Sequence, residues 1–251
     1  MSALLELSHV SKGFGGVLAL DDVSFSIAQK ELVGLIGPNG AGKTTVFNLV
    51  SGVYGLSAGE VVHRGVRISG SSPTRIARRG IARTFQNIRL FRSLTVFDHV
   101  LVAQTCRSRG LMTQFSPFAT HAEAERRRQA LDALEAVGLV QRRDEPAVHL
   151  PYGAQRRLEI ARALATSPEI LLLDEPAAGL NDTETGELRR LLDTLRTRGY
   201  TILLVEHDMK LVMQLCSRIL VLNFGKLIAC GTPPEVRANQ EVIDAYLGVA
   251  N

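Results

Sequence analysis

The stretch "LVGLIGPNGAGKTTVFNLV", residues 32–50, restricts the fold of this chain more than any other. "LVGLIG" is a continuous apolar run of the kind that forms a strand buried on both faces. Gly37, Gly40 and Gly42 interrupt it, and a helical pattern begins at Lys43. Gly37 to Thr44 satisfies G-x-x-x-x-G-K-[ST], placed after a strand and before a helix. Glycines let successive backbone N–H groups turn inward around phosphate oxygens, and the helix start near Gly42 adds its positive end. From there Lys43 can reach the β- and γ-phosphates, and the Thr44 hydroxyl can ligate Mg²⁺. Pro38, Asn39, Ala41 and Thr45 complete the loop. The pattern predicts nucleotide binding by an α/β fold; the competing reading is a glycine-rich turn with no ligand.

The rest of the chain agrees with a layered α/β architecture. Two period-two segments, "LLELSHVSKGF" and "VLALDDVSFSI", flank a "GFGG" turn and predict an N-terminal antiparallel β subdomain. "GEVVHRGVRI" reads as a further strand, and a helix is expected over residues 73–79. From residue 89 to 154 the pattern is helical and more polar, which predicts an inserted helical subdomain. Its clearest stripe is Ala130, Leu131, Leu134 and Val137. Alternation then resumes, with helices over 156–165 and 185–198 and apolar strands over 170–173 and 201–205. Continuous apolar strands between helices predict a mostly parallel sheet covered on both faces, built from residues 1–88 and 155–251. The tail predicts a hairpin turning at Phe224-Gly225 and a last helix capped by Thr232 and Glu235.

Two apolar strands end in acids. "EILLLDEP" closes on Asp174 and Glu175, at the strand end where open α/β sheets place ligands. Asp174 is the candidate for holding Mg²⁺ through water, and Glu175 for polarising an attacking water. "TILLVEHD" closes on Glu206, His207 and Asp208; His207 is predicted to lie at the same sheet edge, in reach of a γ-phosphate. Alone, each of these reads as an ordinary strand-end residue facing solvent. Gln86, in "ARTFQNIRL", lies where the core hands over to the helical block.

Charge and cysteine usage bound the partners. The chain has a net charge of +4 and three widely separated cysteines, Cys106, Cys216 and Cys230. That spacing fits a reducing compartment and neither a disulfide framework nor a zinc site. No apolar run is long enough to span a membrane, and the first residues lack the pattern of a signal peptide. A cytoplasmic chain is expected, with any membrane role exerted through a partner. Arginine groups at Arg75, Arg78, Arg79 and Arg83, at Arg126 to Arg128, and at Arg156 and Arg157 read as solvated helix faces. They are too sparse, and too free of aromatic neighbours, to predict a nucleic-acid surface.

Taken together, the motifs resemble the ATP-binding subunits of ABC transporters over nearly the whole chain, within the phosphate-loop NTPase fold. The loop from Gly37 to Thr45, Gln86 as the Q-loop, Leu150 to Ala154 as the signature region, and "ILLLDE" as Walker B stand in the family's order. "AAGLND" from Ala177 and the switch histidine His207 complete it. The resemblance implies that Phe14 stacks on adenine and that Thr44, Gln86 and Asp174 serve Mg²⁺. It implies a head-to-tail dimer, homomeric or heteromeric, trapping ATP between the loop of one protomer and the signature helix of the other. Permease subunits and, indirectly, a substrate-binding protein are the further partners, at the cytoplasmic face of the inner or plasma membrane. "LPYGAQRRLEIARAL", "DEPAAGLN", "EHDMKLVM", "AYLG" and the long segment over 106–128 are similar to ATPase subunits of branched-chain or hydrophobic amino-acid importers. Urea or short-amide import and lipopolysaccharide export remain as alternatives.

One segment departs from the family pattern. Where the signature usually reads L-S-G-G-Q, this chain has Leu150, Pro151, Tyr152, Gly153 and Ala154. Pro151 offers neither a hydroxyl nor an N–H, so a charge-assisted hydrogen bond worth about 1.5–3 kcal/mol is lost. The Gly153 N–H and the helix dipole are expected to stay available, giving a working but weakened signature. Other classes fit less well. A soluble cassette ATPase acting on DNA or ribosomes would carry two cassettes or a longer insertion. A phosphate-loop kinase or switch GTPase would lack the signature helix and the Glu175/His207 pair, and a non-catalytic scaffold would have lost Lys43 or Glu175.

Overall fold

The computed structural model describes residues 3–86, 88, 90–105 and 119–247. Strand β1 (Ala3–Phe14) turns at Gly15-Gly16 into β2 (Val17–Ala28), and the fully buried β3 (Leu32–Ile36) follows. Helix α1 (Lys43–Val50) leaves the glycine loop. Next come β4 (Ala58–His63), β5 (Val66–Arg67), α2 (Pro73–Arg78) and β6 (Ile81–Arg83). Helices α3 (Val96–Gln104), α4 (Ala119–Ala136) and α5 (Tyr152–Leu164) make up the helical region. The remaining elements are β7 (Ile170–Asp174), α6 (Asp182–Thr197), β8 (Thr201–Val205), α7 (Met209–Leu215), β9 (Arg218–Asn223), β10 (Lys226–Gly231), α8 (Pro233–Ala238) and α9 (Gln240–Leu247).

Two sheets result. An antiparallel sheet has the order β2-β1-β4-β5, and a second has the order β10-β9-β3-β8-β7-β6 with only β10 antiparallel to its neighbour. The period-two pleat sorts the parallel strands into two cores. Leu32, Ile36, Leu171, Leu173, Ile202 and Leu204 pack with Leu158 of α5, Leu188 and Leu192 of α6, and Val212 of α7. Val33, Leu35, Ile170, Leu172, Leu203 and Val205 face the other way, against Phe47 of α1 and Leu5, Leu7 and Ile27 of the antiparallel sheet. Burial on both faces is why these strands are apolar throughout.

Register decides where the polar residues emerge. Asp174 pairs with Val205, Leu35 with Val205, and Ile36 with Val221. The glycine loop, Glu175 and His207 therefore leave the sheet along one edge. β6, a strand the sequence pattern did not suggest, joins the same sheet through Arg83 opposite Leu172 and carries Gln86 toward that edge.

Several local expectations shift. "GEVVHRGVRI" is a hairpin, broken at Arg64 and Gly65, which both take positive φ. Helix α5 starts at Tyr152, with Pro151 as its N-cap and Gly153 inside the first turn, rather than at Arg156. It therefore runs from the expected helical block straight into the core. Helix α6 starts at Asp182 because Asn181 and Glu184 form a capping box. Helix α7 was not foreseen, and the C-terminal helical segment is two helices parted at Asn239. In α4 Ala133 is buried, while Leu131 of the expected stripe is only half-buried. Cys106 and the rest of 106–118 lie outside the described residues, as does the final Gly of "AYLG".

Candidate nucleotide site

Glycine is required twice in the loop between β3 and α1. At Gly37, with φ 149°, a Cβ would stand 2.1 Å from the Leu222 carbonyl oxygen. At Gly42, with φ 106°, it would meet Leu20 Cδ2 at 2.7 Å and the Ala19 carbonyl at 2.8 Å. Ala41 is buried, whereas Asn39, Gly40 and Thr44 are exposed and Pro38 and Thr45 half-buried. Lys43 folds back over the loop, its Nζ donating to the Gly37 carbonyl at 2.6 Å and the Pro38 carbonyl at 2.9 Å. Burial lowers the Lys43 pKa from the usual lysine value, while Glu175 and Asp174 act to raise it. Burial raises the pKa of Tyr246 in α9 from the usual tyrosine value, while the Gly37 backbone acts to lower it.

The three residues Gln86, Glu175 and His207 meet. Gln86 Nε2 donates to Glu175 Oε2 at 2.7 Å, and His207 Nε2 lies 2.7 Å from Glu175 Oε1. Both carboxylate oxygens are thus engaged by side chains from separate elements. Glu175 adopts φ 49°, a left-handed conformation costing a non-glycine residue about 1–3 kcal/mol. Its N–H donates to the Val205 carbonyl at 2.9 Å, so the strand end holds the strained residue in place. Asp174 has a different partner. Its Oδ2 accepts from Arg83 Nη2 at 2.8 Å, with both side chains 8% exposed. Arg83 also donates to Asn48 Oδ1 at 2.7 Å and Ser51 Oγ at 3.1 Å, which fixes α1 to the end of β7.

The signature segment is tied to its own chain. Leu150 and Ala154 are buried; Pro151 and Tyr152 are exposed. The Tyr152 hydroxyl donates to the Ala178 carbonyl at 3.2 Å and accepts from Arg156 Nη2 at 2.7 Å. The Gly153 N–H, expected to be available, donates to Glu184 Oε1 at 3.2 Å. That correction follows from the α6 capping box, which brings the Glu184 carboxylate to the start of α5. Among the described residues no hydrogen bond joins Pro151, Gly153 or Ala154 to Lys43, Glu175 or His207, so the segment stands apart from the chain's own loop.

The family model for the ABC transporter matches residues 20–178. The chain belongs to the ABC transporter ATP-binding family. A second model, for the branched-chain amino acid ATP-binding cassette transporter, matches residues 226–250. The chain is 49% identical over 251 residues to the high-affinity branched-chain amino acid transport ATP-binding protein LivG of Salmonella typhimurium, covering 98% of each. Identity to the lipopolysaccharide export system ATP-binding protein LptB of Haemophilus influenzae is lower, 34% over 246 residues with 98% of each covered. Among solved structures, the ADP conformation of MJ1267, an ATP-binding cassette of an ABC transporter, gives a TM-score of 0.87 at 28% identity, covering 99% of this chain and 100% of that one. The dimeric post-hydrolysis MJ0796 cassette bound to ADP and Pi gives 0.76 at 28% identity, covering 91% and 98%.

The ABC cassette fold and ATP hydrolase class expected from the motifs thus hold. Among the described residues of the cassette, no helix is long and apolar enough to cross a membrane. Residues that sequence reasoning passed over also stand at this ABC site. Arg156, read as a member of a solvated face, is buried, and the side chain of Arg83, read the same way, is only 8% exposed. Both fall beside motif residues, Arg83 three before Gln86 and Arg156 in the helix begun by the signature, and that adjacency was the available signal. Phe14 packs edge-on to Tyr54, with ring centroids 5.2 Å apart, and Lys12 Nζ lies 4.8 Å from the Phe14 ring centre. Glu206 is buried, accepting the Ala177 N–H at 2.6 Å and the His207 N–H at 3.1 Å. Burial raises its pKa, against the backbone N–H groups that it accepts.

Proposed function

We propose that this chain is the ATP-hydrolysing subunit of a branched-chain amino-acid importer, acting as one of a pair of cassettes, homomeric or heteromeric. The observation that carries the cargo is the match of residues 226–250 to the branched-chain cassette model, supported by the 49% identity to LivG. Lipopolysaccharide export is the weaker reading, because LptB shares only 34%. The pair works on permease subunits at the cytoplasmic face of the membrane, with a substrate-binding protein presenting cargo on the far side. An apolar cleft of about 370 Å³, lined by Val53, Ile76, Phe85 and Ala163 beside Gln86, suits a permease segment.

In this reading ATP lies along the glycine loop. Phe14, edged by Tyr54, offers its face to adenine. Backbone N–H groups between Asn39 and Thr45 hold phosphate oxygens, and Lys43 turns from the Gly37 carbonyl to the β- and γ-phosphates. Thr44, Gln86 and Asp174 present a hydroxyl, an amide and a carboxylate, the hard oxygen donors that Mg²⁺ prefers. When bound, Mg²⁺ would neutralise charge on the phosphates. Glu175 orients water and accepts its proton, with its carboxylate aimed by Gln86 and His207. The partner's Leu150 to Ala154 segment closes over the γ-phosphate.

The test is reconstitution of the chain with its permease subunits in vesicles. Labelled leucine should accumulate on ATP addition, and Glu175→Gln should bind ATP while losing turnover and uptake. Purification with ribosomes or DNA, or undiminished hydrolysis in Glu175→Gln, overturns the reading.

A further inference from the structure

Six hydrogen-bonded steps close a ring around Glu175. Gln86 and His207 hold its two oxygens. The His207 N–H donates to Glu206, whose other oxygen accepts the Ala177 N–H. The next residue, Ala178, accepts from Arg156 Nη2 at 3.2 Å, and Arg156 Nη1 returns to the Gln86 carbonyl at 2.6 Å. Without Arg156 the ring opens between Gln86 and Ala178.

Arg156 is suited to that position. It is 5% exposed, and among the described residues no carboxylate forms an ion pair with it. Its fork instead binds the Gln86 and Ala178 carbonyls and the Tyr152 hydroxyl. A guanidinium offers several donors in one rigid plane, so three oxygens on three segments are held in fixed relation. Tyr152 completes the fastening. Its hydroxyl reaches the same Ala178 carbonyl, and Arg156 Cζ stands 5.2 Å from its ring centre. The ring also covers Gly179, where φ is 81° and a Cβ would come within 3.0 Å of Tyr152 Cε1.

We propose that Tyr152 and Arg156 are positioning residues that join the signature helix to the Gln86 and Ala177-Ala178 turns and thereby set the orientation of Glu175. The bulky departure at Tyr152 has a task within its own chain, distinct from any contact across a dimer. A displacement of Tyr152 by a partner's nucleotide would pull on Ala178 and, through Arg156, on Gln86. The inference rests on Glu175 being the base of the proposed ATPase.

The test compares Tyr152→Phe, Arg156→Met, Arg156→Lys and the Tyr152→Phe/Arg156→Met double variant in the full chain. Arg156→Met should lower kcat by about 10- to 100-fold, the scale of a misplaced catalytic group, with ATP affinity within about 2-fold of wild type. Tyr152→Phe keeps the exposed ring and should fold normally, with kcat lowered by about 3- to 10-fold, the scale of one lost hydrogen bond. Arg156→Lys should restore only part of the rate, because an ammonium cannot span three fixed oxygens. The double variant should be no slower than Arg156→Met, since the pair acts as one unit. Wild-type kcat in Tyr152→Phe, or additive losses, overturns the proposal. Glu175→Gln run alongside separates the failures: an inactive Glu175→Gln with an unaffected Tyr152→Phe rejects the positioning role alone, whereas an active Glu175→Gln rejects the assigned base.

Discussion

His207 Nε2 stands 2.7 Å from Glu175 Oε1, linking residues at the ends of two neighbouring parallel strands. The contact holds one side of a carboxylate whose other oxygen belongs to Gln86. In His207→Ala that side is released while the phosphate loop is untouched. The expected result is a kcat lower by about 10- to 100-fold with little change in ATP affinity. Single-turnover hydrolysis alongside nucleotide titration measures both, and an equal loss in affinity would place His207 in nucleotide binding instead.

Arg83 and Asp174 form an ion pair with both side chains 8% exposed. Removing one member leaves the other charged and buried, which costs roughly 3–5 kcal/mol. Arg83→Met should accordingly lower the unfolding free energy read from a denaturant titration by that amount. A shift below about 1 kcal/mol, the scale of an exposed pair, would return Arg83 to the solvated surface.

Alkaline pH should weaken nucleotide binding through Lys43. Burial depresses its pKa in the folded chain, so the folded lysine loses its proton at a lower pH than the unfolded one. Between those two values unfolding takes up a proton, and the stability contribution of this residue rises with pH. ATP affinity, which uses the charge, falls over the same window. Lys43→Arg keeps its charge throughout, so its affinity profile should be flatter than wild type. Parallel profiles in the two proteins would remove Lys43 as the source.

At Pro151 the N-cap of α5 lacks any side-chain acceptor. Pro151→Ser supplies one, with a helix gain of about 1 kcal/mol, and adds a hydroxyl facing outward. ATP-dependent dimerisation should strengthen, as read by light scattering on the Glu175→Gln background. Unchanged dimerisation with raised thermal stability would confine the serine to capping.

The legible part of this molecule was local. Gly37 to Thr44 announces its loop because Gly37 and Gly42 take positive φ where a Cβ has no room, and the strand and helix beside it are contiguous in the chain. The Thr232–Glu235 box and the Phe224-Gly225 turn were readable for the same reason. Helix α5 starts four residues before the expected Arg156, where Glu184 from another helix accepts the Gly153 N–H in the first turn.

Contiguous residues carry their own chemistry, and from them the nucleotide loop, the two acid-ended strands and the α/β alternation could be derived. Glu175 gains Gln86 and His207 from 89 and 32 residues away, and which strand ends align is a matter of sheet register. The same holds for the two arginines. Arg83 and Arg156 look like surface charge in a sequence window, and only packing shows the carboxylate and carbonyls that hold them inside. Burial of a charge depends on partners supplied by the whole fold, and that information is spread over distances that local patterns cannot span.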